Sequence, residues 1–85
     1  MNYIHYEFDA GPGQSVQVTL DKQANVRLLD PANYNNYRNG QKHTYHGGLA
    51  KMSPVMIPIP HQGHWHVVID LGGNAGTVRA SVDLI

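Results

Sequence analysis

The segment HQGHWH carries three of the chain's six histidines, His61, His64 and His66, in a spacing suited to chemistry. Side chains two positions apart on a β-strand point to the same side, so His64 and His66 can converge on one ligand or ion. Asp70 falls on that same face of a predicted central strand that runs from His64 to Leu71. Imidazole nitrogens and carboxylate oxygens are common zinc ligands, so a metal site is one hypothesis.

The spacing His64-x-His66-x3-Asp70 is similar to the metal motif of cupins, with aspartate in place of the usual glutamate. On an extended strand, however, Asp70 lies about 13 Å from His66 at ~3.3 Å per residue, too far to share an ion. Better third ligands are His61, or His43 and His46 from the preceding loop. The favoured interpretation is a strand face without metal or other cofactor; if a metal binds, the predicted ligands are His61, His64 and His66.

A wall of aromatic side chains is a second candidate binding surface, on which a sugar, a nucleotide or a peptide could stack. Its members are Tyr34, Tyr37, Tyr45 and Trp65. Trp65 alternates with apolar residues and is predicted in the core, whereas Tyr34 and Tyr37 either pack on the sheet or face a ligand. From both patterns, the predicted ligand-binding residues are Tyr34, Tyr37, Arg38, His43, His46, His64 and His66.

The glycine-rich segment LGGNAGT does not predict a phosphate-binding loop. Such loops lead into a helix whose N-terminus receives the anion, whereas the following TVRASVDLI has the alternation of a strand. The glycines are therefore predicted to form a turn. The serines at 15, 53 and 81 have no nucleophile motif around them, so no catalytic residue is predicted and binding is favoured over catalysis.

Composition narrows the class of protein further. There are no cysteines among the 85 residues, which excludes disulfides and fits a reducing, cytoplasmic setting. Six Lys and Arg are scattered along the chain and balance six Asp and Glu, which disfavours nucleic acid as a partner. No apolar run approaches the ~20 residues that cross a bilayer and no signal-peptide pattern is visible, so no membrane partner is expected.

Apolar residues recur at every second position through most of the chain, which is the period of half-buried strands. Seven or eight such strands predict one all-β domain over residues 1–85, a small antiparallel β-sandwich of jelly-roll or Greek-key type. A short helical turn is predicted near residues 31–37, with Asp30 as N-cap. The run PVMIPIP predicts an edge strand, because proline cannot donate to a ladder. Residues 42–46 predict a further short strand, ended by Gly47 and Gly48.

Matching of apolar faces predicts two hairpins. A turn at residues 21–25 would place Leu20 opposite Val26 and Val18 opposite Leu28. With GNAG as a four-residue loop, the last two strands would pair Leu71 with Val78, Ile69 with Ala80, Val67 with Val82 and Trp65 with Leu84. The opposite face of that hairpin would then pair Asp70 with Arg79 and His66 with Asp83.

The most distinctive segments of the chain are NYNNYRNG, HGG, PHQGHWHVVIDLGG and GTVRAS. They resemble the bacterial family catalogued as domain of unknown function 1883, and the likeness covers nearly the whole chain. The resemblance implies an all-β fold and an occurrence either alone or beside a TIR domain, a module linked to NAD cleavage and signalling. It implies no ligand and no activity, so it assigns no functional residue.

The sequence leaves three hypotheses open. The first is a non-catalytic binding module for a small molecule or a protein, acting as the sensing or regulatory partner of a TIR-type effector. The second is a small metal-dependent enzyme that uses the strand face of His64 and His66. The third is a structural protomer that forms a homo-oligomer, which would add buried surface to a small core.

Overall fold

The computed structural model describes residues 3–85, which form seven β-strands and one α-helix. In chain order these are β1 (Ile4–Ala10), β2 (Ser15–Leu20), β3 (Ala24–Leu29), α1 (Pro31–Arg38), β4 (His46–Ala50), β5 (Val55–Pro58), β6 (Gly63–Asp70) and β7 (Ala80–Leu84). The strands form two antiparallel sheets, in the orders β1-β6-β3-β4 and β5-β2-β7. The prediction of a small all-β fold with one short helix is confirmed.

The core lies between the two sheets. It is built from the apolar residues that alternate with polar ones, and its fully or almost fully buried members include Val16, Val18, Val26, Leu28, Trp65, Val67 and Ile69. Burying a side chain of this size contributes roughly 1.5–3 kcal/mol relative to leaving it exposed. β6 is central in its sheet, because β1 and β3 pair with its two edges. The predicted core position of Trp65 is confirmed by its 2% exposure.

The predicted hairpin between the last two strands is wrong. β7 pairs with β2, which places Val82 opposite Val18, and both edges of β6 are already taken by β1 and β3. A strand has only two edges, so no place is left for β7 beside β6. The polar pairs predicted with that hairpin are wrong too: Asp83 lies opposite Gln17, and the backbone N–H of Arg79 donates to Asp21.

The predicted hairpin of the second and third strands is wrong for a related reason. β2 and β3 belong to different sheets, and the neighbours of β2 are β5 and β7. Val18 and Leu28 are both in the core, but they reach it from opposite sheets. A period of two determines which face of a strand is buried and leaves the identity of its neighbour undetermined.

Gly47 and Gly48 lie inside β4, so the prediction that they end a strand over residues 42–46 is wrong. Gly47 has a φ of 110°, and a Cβ atom there would overlap the carbonyl oxygen of Val26 on β3. Glycine is the residue that tolerates both conditions. The glycine that resembled a strand end therefore permits the close pairing of β3 with β4.

The predicted helical turn is confirmed as α1. Asp30 Oδ1 accepts a hydrogen bond of 2.8 Å from the backbone N–H of Asn33, and Pro31 occupies the start of the helix. The predicted edge strand is also confirmed, since β5 is one of the two edge strands of the three-stranded sheet. Within residues 3–85, no helix has the length and apolar character needed to cross a membrane.

Candidate functional site

Polar side chains collect on the outer side of the four-stranded sheet, where α1 packs against β3 and β6. The register of β1 with β6 places Glu7 opposite His66 and Asp9 opposite His64. Because alternate residues of a strand share a face, His5 lies on the same side. We call this set the β1–β6 row; its members are His5, Glu7, Asp9, His64 and His66.

Two imidazole rings form the centre of the row. His5 Nε2 and His66 Nδ1 are 2.8 Å apart and share a hydrogen bond, with 15° between the ring planes. Tyr34 of α1 covers both rings, at centroid distances of 4.3 Å from His5 and 4.2 Å from His66. Its hydroxyl lies 3.3 Å from His5 Nδ1 and 3.1 Å from the Tyr3 hydroxyl. The helix and the two strands are therefore joined through one ring stack.

Burial affects the protonation of His66 and of Tyr34. His66 is 7% exposed, and burial together with the neighbouring His5 ring lowers the pKa of His66. The neutral imidazole, which offers a lone pair, is thus favoured near neutral pH. Burial and the hydrogen bond with Tyr3 raise the pKa of Tyr34 to about 12, so its hydroxyl keeps its proton.

The other end of the row is open to solvent. His64 Nδ1 lies 2.8 Å from Asp9 Oδ1, and His64 Nε2 lies 3.2 Å from Glu7 Oε1. The side chains of His64, Glu7 and Asp9 are 40%, 54% and 80% exposed. The hydrogen bond with Asp9, and then that with Glu7, raises the pKa of His64. This end therefore presents a protonatable ring between two carboxylates.

Asp70 is the buried polar anchor of the same face, at 2% exposure. Its carboxylate accepts hydrogen bonds from the Tyr37 hydroxyl at 2.6 Å, from Asn25 Nδ2 at 2.9 Å and from the Gly72 N–H at 2.8 Å. Arg27 Nη1 pairs with it as well. Burial alone would raise the pKa of Asp70, but these hydrogen bonds and the Arg27 charge together hold it below its usual range. Four donors thus saturate the carboxylate, which joins α1, β3 and β6.

A second aromatic group surrounds Arg27. The guanidinium carbon lies 5.6 Å from the ring centroid of Tyr37 and 5.0 Å from that of Tyr45, within cation–π range. His43 meets the Tyr37 ring edge to face at 5.2 Å. Arg27 is therefore held by its carboxylate partner and by two tyrosine rings.

A cleft of about 450 Å³ opens beside the end of β6. Apolar side chains and the glycine-containing loop after β6 form most of its wall, with Ile4, Ile69, Leu71 and Val78 among them. Its volume is that of a small-molecule site. The carboxylate in its wall is Asp70, whose oxygens already accept four hydrogen bonds. The β1–β6 row therefore offers a ligand more titratable side chains than the cleft does.

A family described as domain of unknown function, DUF1883, matches residues 1–85. The chain belongs to the DUF1883 family. No curated protein and no solved structure gives a significant match. The family membership that the sequence resemblance implied is thus confirmed, and the family description assigns no activity to this DUF1883 domain.

The outer side of the DUF1883 domain brings together most of the residues predicted to bind a ligand. Tyr34 and His66 stack, His64 lies beside them, and the Arg38 guanidinium lies 6.0 Å from the Tyr34 ring centroid. Tyr37 and His43 meet at the neighbouring Asp70 cluster. Both tyrosines pack on the outer side of the sheet, Tyr34 on the rings of His5 and His66, and Tyr37 through its hydrogen bond to Asp70.

Two of the predicted histidines lie elsewhere. The His46 and His61 rings are 6.1 Å and 4.7 Å from the ring of Trp65, whose side chain belongs to the core. His61 is therefore on the other side of β6 from His64 and His66, although the three are close in sequence. The structure does not bring the predicted metal set of His61, His64 and His66 together.

Sequence reasoning missed three residues of the row, which are His5, Glu7 and Asp9. A signal for them exists: polar residues at 5, 7 and 9 alternate with Ile4 and Phe8, both of which pack against the core. That alternation indicates a polar outer face on the first strand. The pairing of β1 with β6, which brings this face to the histidines, could not be read from the alternation.

The row has the donor atoms of a cation site. In the part of the chain that the structure describes, one group of three metal-ligating side chains has its donor atoms within 4.8 Å of one another: His5, Glu7 and His66. Neutral imidazoles and a carboxylate can hold a proton or a metal ion. The open end adds charged groups that a partner can contact.

Proposed function

We propose that this DUF1883 domain is a binding module that recognises a protein partner through the open end of the β1–β6 row. The observation that carries the proposal is the group of His64, Glu7 and Asp9, whose side chains are exposed yet held by hydrogen bonds of 2.8 and 3.2 Å. Side chains fixed in this way lose less conformational freedom when a partner binds. The group is therefore preorganised for recognition.

A binding role has more support than catalysis. Asp70 is the buried carboxylate among residues 3–85, and it already accepts four hydrogen bonds. These bonds leave it no free lone pair with which to act as a base. Ser15 and Ser81 lie on β2 and β7 of the other sheet, and Ser53 Oγ accepts a hydrogen bond from the Leu20 N–H. Acyl transfer usually requires a hydroxyl nucleophile beside an activating base. The positions of these three serines give no support for such a pair.

We assign the partner to the TIR class and the domain to a sensing or regulatory role beside it. The support is what the family resemblance implies, namely an occurrence either alone or beside a TIR domain. A cytoplasmic setting belongs to the same proposal and is supported by the lack of cysteine. The carboxylates of Glu7 and Asp9 flank a single imidazole, so the partner surface should carry lysine or arginine.

Calorimetric titration with the TIR domain of a fused family member, supplied as a separate chain, tests this proposal. Asp9→Asn removes one exposed carboxylate of the row, and Asp83→Asn on β7 removes an exposed carboxylate of the other sheet. We expect Asp9→Asn to raise Kd about tenfold and Asp83→Asn to leave it unchanged. Absence of binding by the unaltered domain, or an equal effect of both substitutions, would contradict the proposal.

Two other ligand classes, a small molecule and a second copy of the chain, would be recognised by different measurements. A melting temperature that rises with a nucleotide or a sugar, without TIR binding, would replace the protein partner by a small molecule. Light scattering that shows a dimer of the free domain, dissociated by Asp9→Asn, would make a second copy of the chain the partner. Either result overturns the assignment to the TIR class.

A further inference from the structure

We propose that His5, Glu7 and His66 bind one divalent transition-metal ion of the zinc class. Their donor atoms already lie within 4.8 Å of one another, with His5 Nε2 2.8 Å from His66 Nδ1 and 3.7 Å from Glu7 Oε2. The inference rests on the proposed function, because the ion would sit inside the row that recognises the partner. It replaces the metal set suggested by sequence with one built from two strands.

The spacing of the donor atoms fits zinc after small side-chain rotations. Zinc lies about 2.0–2.2 Å from nitrogen and oxygen ligands, so neighbouring ligand atoms of a tetrahedral site are roughly 3.4 Å apart. The two imidazole nitrogens, now 2.8 Å apart, would separate by about half an ångström. The 3.7 Å between His5 Nε2 and Glu7 Oε2 would shorten by about 0.3 Å. Each change is a fraction of an ångström.

The ion would take the place of the proton between the two rings. One imidazole now donates its ring N–H to the other, so only one of the two facing nitrogens has a free lone pair. On metal binding, the donating ring moves that proton to its own second nitrogen, and both facing lone pairs then bind the ion. No proton leaves the site when both rings start neutral.

The surroundings hold the ligands in position. Tyr34 stacks on both imidazoles, and its hydroxyl lies 3.3 Å from His5 Nδ1, where it can accept the N–H that metal binding requires there. Hydrogen bonds of this kind fix the tautomer and orientation of ligating histidines. The Tyr34 hydroxyl is in turn 3.1 Å from that of Tyr3. The ligand geometry is thus supported by ring stacking and hydrogen bonding on the side of α1.

The solvent side supplies both an entry path and a fourth ligand. Glu7 is 54% exposed, so an ion reaches the buried nitrogens past this carboxylate. His64 Nε2 lies 3.2 Å from Glu7 Oε1 and is placed to supply the fourth ligand. A water molecule can take that position otherwise. Three protein ligands with one open position is the arrangement that leaves an ion free to contact a partner.

Calorimetric titration of the full chain, purified without a histidine tag, with ZnCl2 in a non-coordinating buffer tests the site. We expect one ion per chain, and a Kd at least tenfold higher for His5→Gln and for Glu7→Gln. Because the Glu7 side chain is exposed, Glu7→Gln should fold normally. It therefore tests the site even if His5→Gln has a folding defect. His61→Gln, beside Trp65, is the matched histidine control and should bind like the unaltered chain.

Nitrogen NMR of the imidazole rings identifies the ligating atoms. We expect the ¹⁵N resonances of His5 Nε2 and His66 Nδ1 to move on addition of zinc, with those of His61 unchanged. No heat and no shift, or zinc uptake that survives His5→Gln, would overturn the site and leave the hydrogen-bonded ring pair as a structural contact. TIR binding by a chain that takes up no zinc also overturns the site while the recognition surface stands. Zinc binding without any TIR partner supports the site and removes only the proposed function.

Discussion

Replacement of Asp70 by asparagine tests whether the buried carboxylate holds α1 to the sheet. Each oxygen of Asp70 accepts two hydrogen bonds: Oδ1 from Asn25 and the Gly72 N–H, Oδ2 from Arg27 and Tyr37. Asparagine keeps the shape but replaces one oxygen by an NH2 group. Two donors would then face a donor, and the Arg27 guanidinium would lose its negative partner.

The expected loss of stability is large relative to the total. Removing one partner of a buried ion pair costs about 3–5 kcal/mol. The Arg27 side chain is 18% exposed, so water compensates in part and we expect about 3 kcal/mol. At ~0.05–0.15 kcal/mol per residue, 85 residues give a free energy of unfolding of roughly 4–13 kcal/mol. The Asp70→Asn domain should therefore keep roughly 1–10 kcal/mol and unfold at a clearly lower urea concentration than the unaltered chain.

Urea unfolding at pH 7, followed by the fluorescence of the single tryptophan, measures this loss. Tyr37→Phe is the matched control, because it removes one donor and leaves the charge pair with Arg27 intact. We expect a loss of about 1.5 kcal/mol for Tyr37→Phe, half that of Asp70→Asn. A loss below about 1 kcal/mol for Asp70→Asn would refute the view that this carboxylate anchors the helix.

Three further outcomes follow from the same structure. Because the folded-state pKa of Asp70 is held below its ordinary 3.8, its stabilising contribution is present above that pH and is lost as pH falls through the lower folded value. The stability difference between the unaltered chain and Asp70→Asn should hence be constant from pH 5 to 7 and shrink in acid. In urea midpoints, Gly47→Ala should lose more than Gly48→Ala, since both have positive φ but only a Cβ at Gly47 meets the β3 backbone. On β5, Ile57→Ala should cost about 2–4 kcal/mol, and replacement of its exposed neighbour by Met56→Ala should cost under about 0.5 kcal/mol. Equal losses for the two glycine variants would contradict the close approach of β3 at Gly47. Equal losses for the two β5 variants would contradict the assigned burial of Ile57.

The faces of the strands could be predicted because side-chain burial follows the period of two. Trp65 is in the core, and His66 and Asp70 are on the opposite side of β6, as the alternation of HWHVVID predicts. Local chemistry was equally informative at Asp30, where a side-chain oxygen caps the helix. These features depend on residues within a few positions of one another, which a sequence displays directly.

The neighbours of the strands could not be predicted, because the same apolar match arises within one sheet or across the core. The apolar pattern allows Val18 and Leu28 to pair in a hairpin, yet they enter the core from different sheets. The candidate site depends on the same unknown, since His5 meets His66 only when β1 pairs with β6, 61 positions away in sequence. The chemistry of the site therefore follows from topology, whereas the sequence displays only its separate parts.

The most direct test of the proposed recognition surface is an amide NMR titration of the ¹⁵N-labelled domain with the unlabelled TIR domain of a fused family member. We expect the shifts to concentrate on the antiparallel stretches of β1 and β6 that carry Glu7, Asp9 and His64, and we expect β7 to remain unaffected. Shifts confined to the three-stranded sheet, or a spectrum that does not change at all, would contradict it.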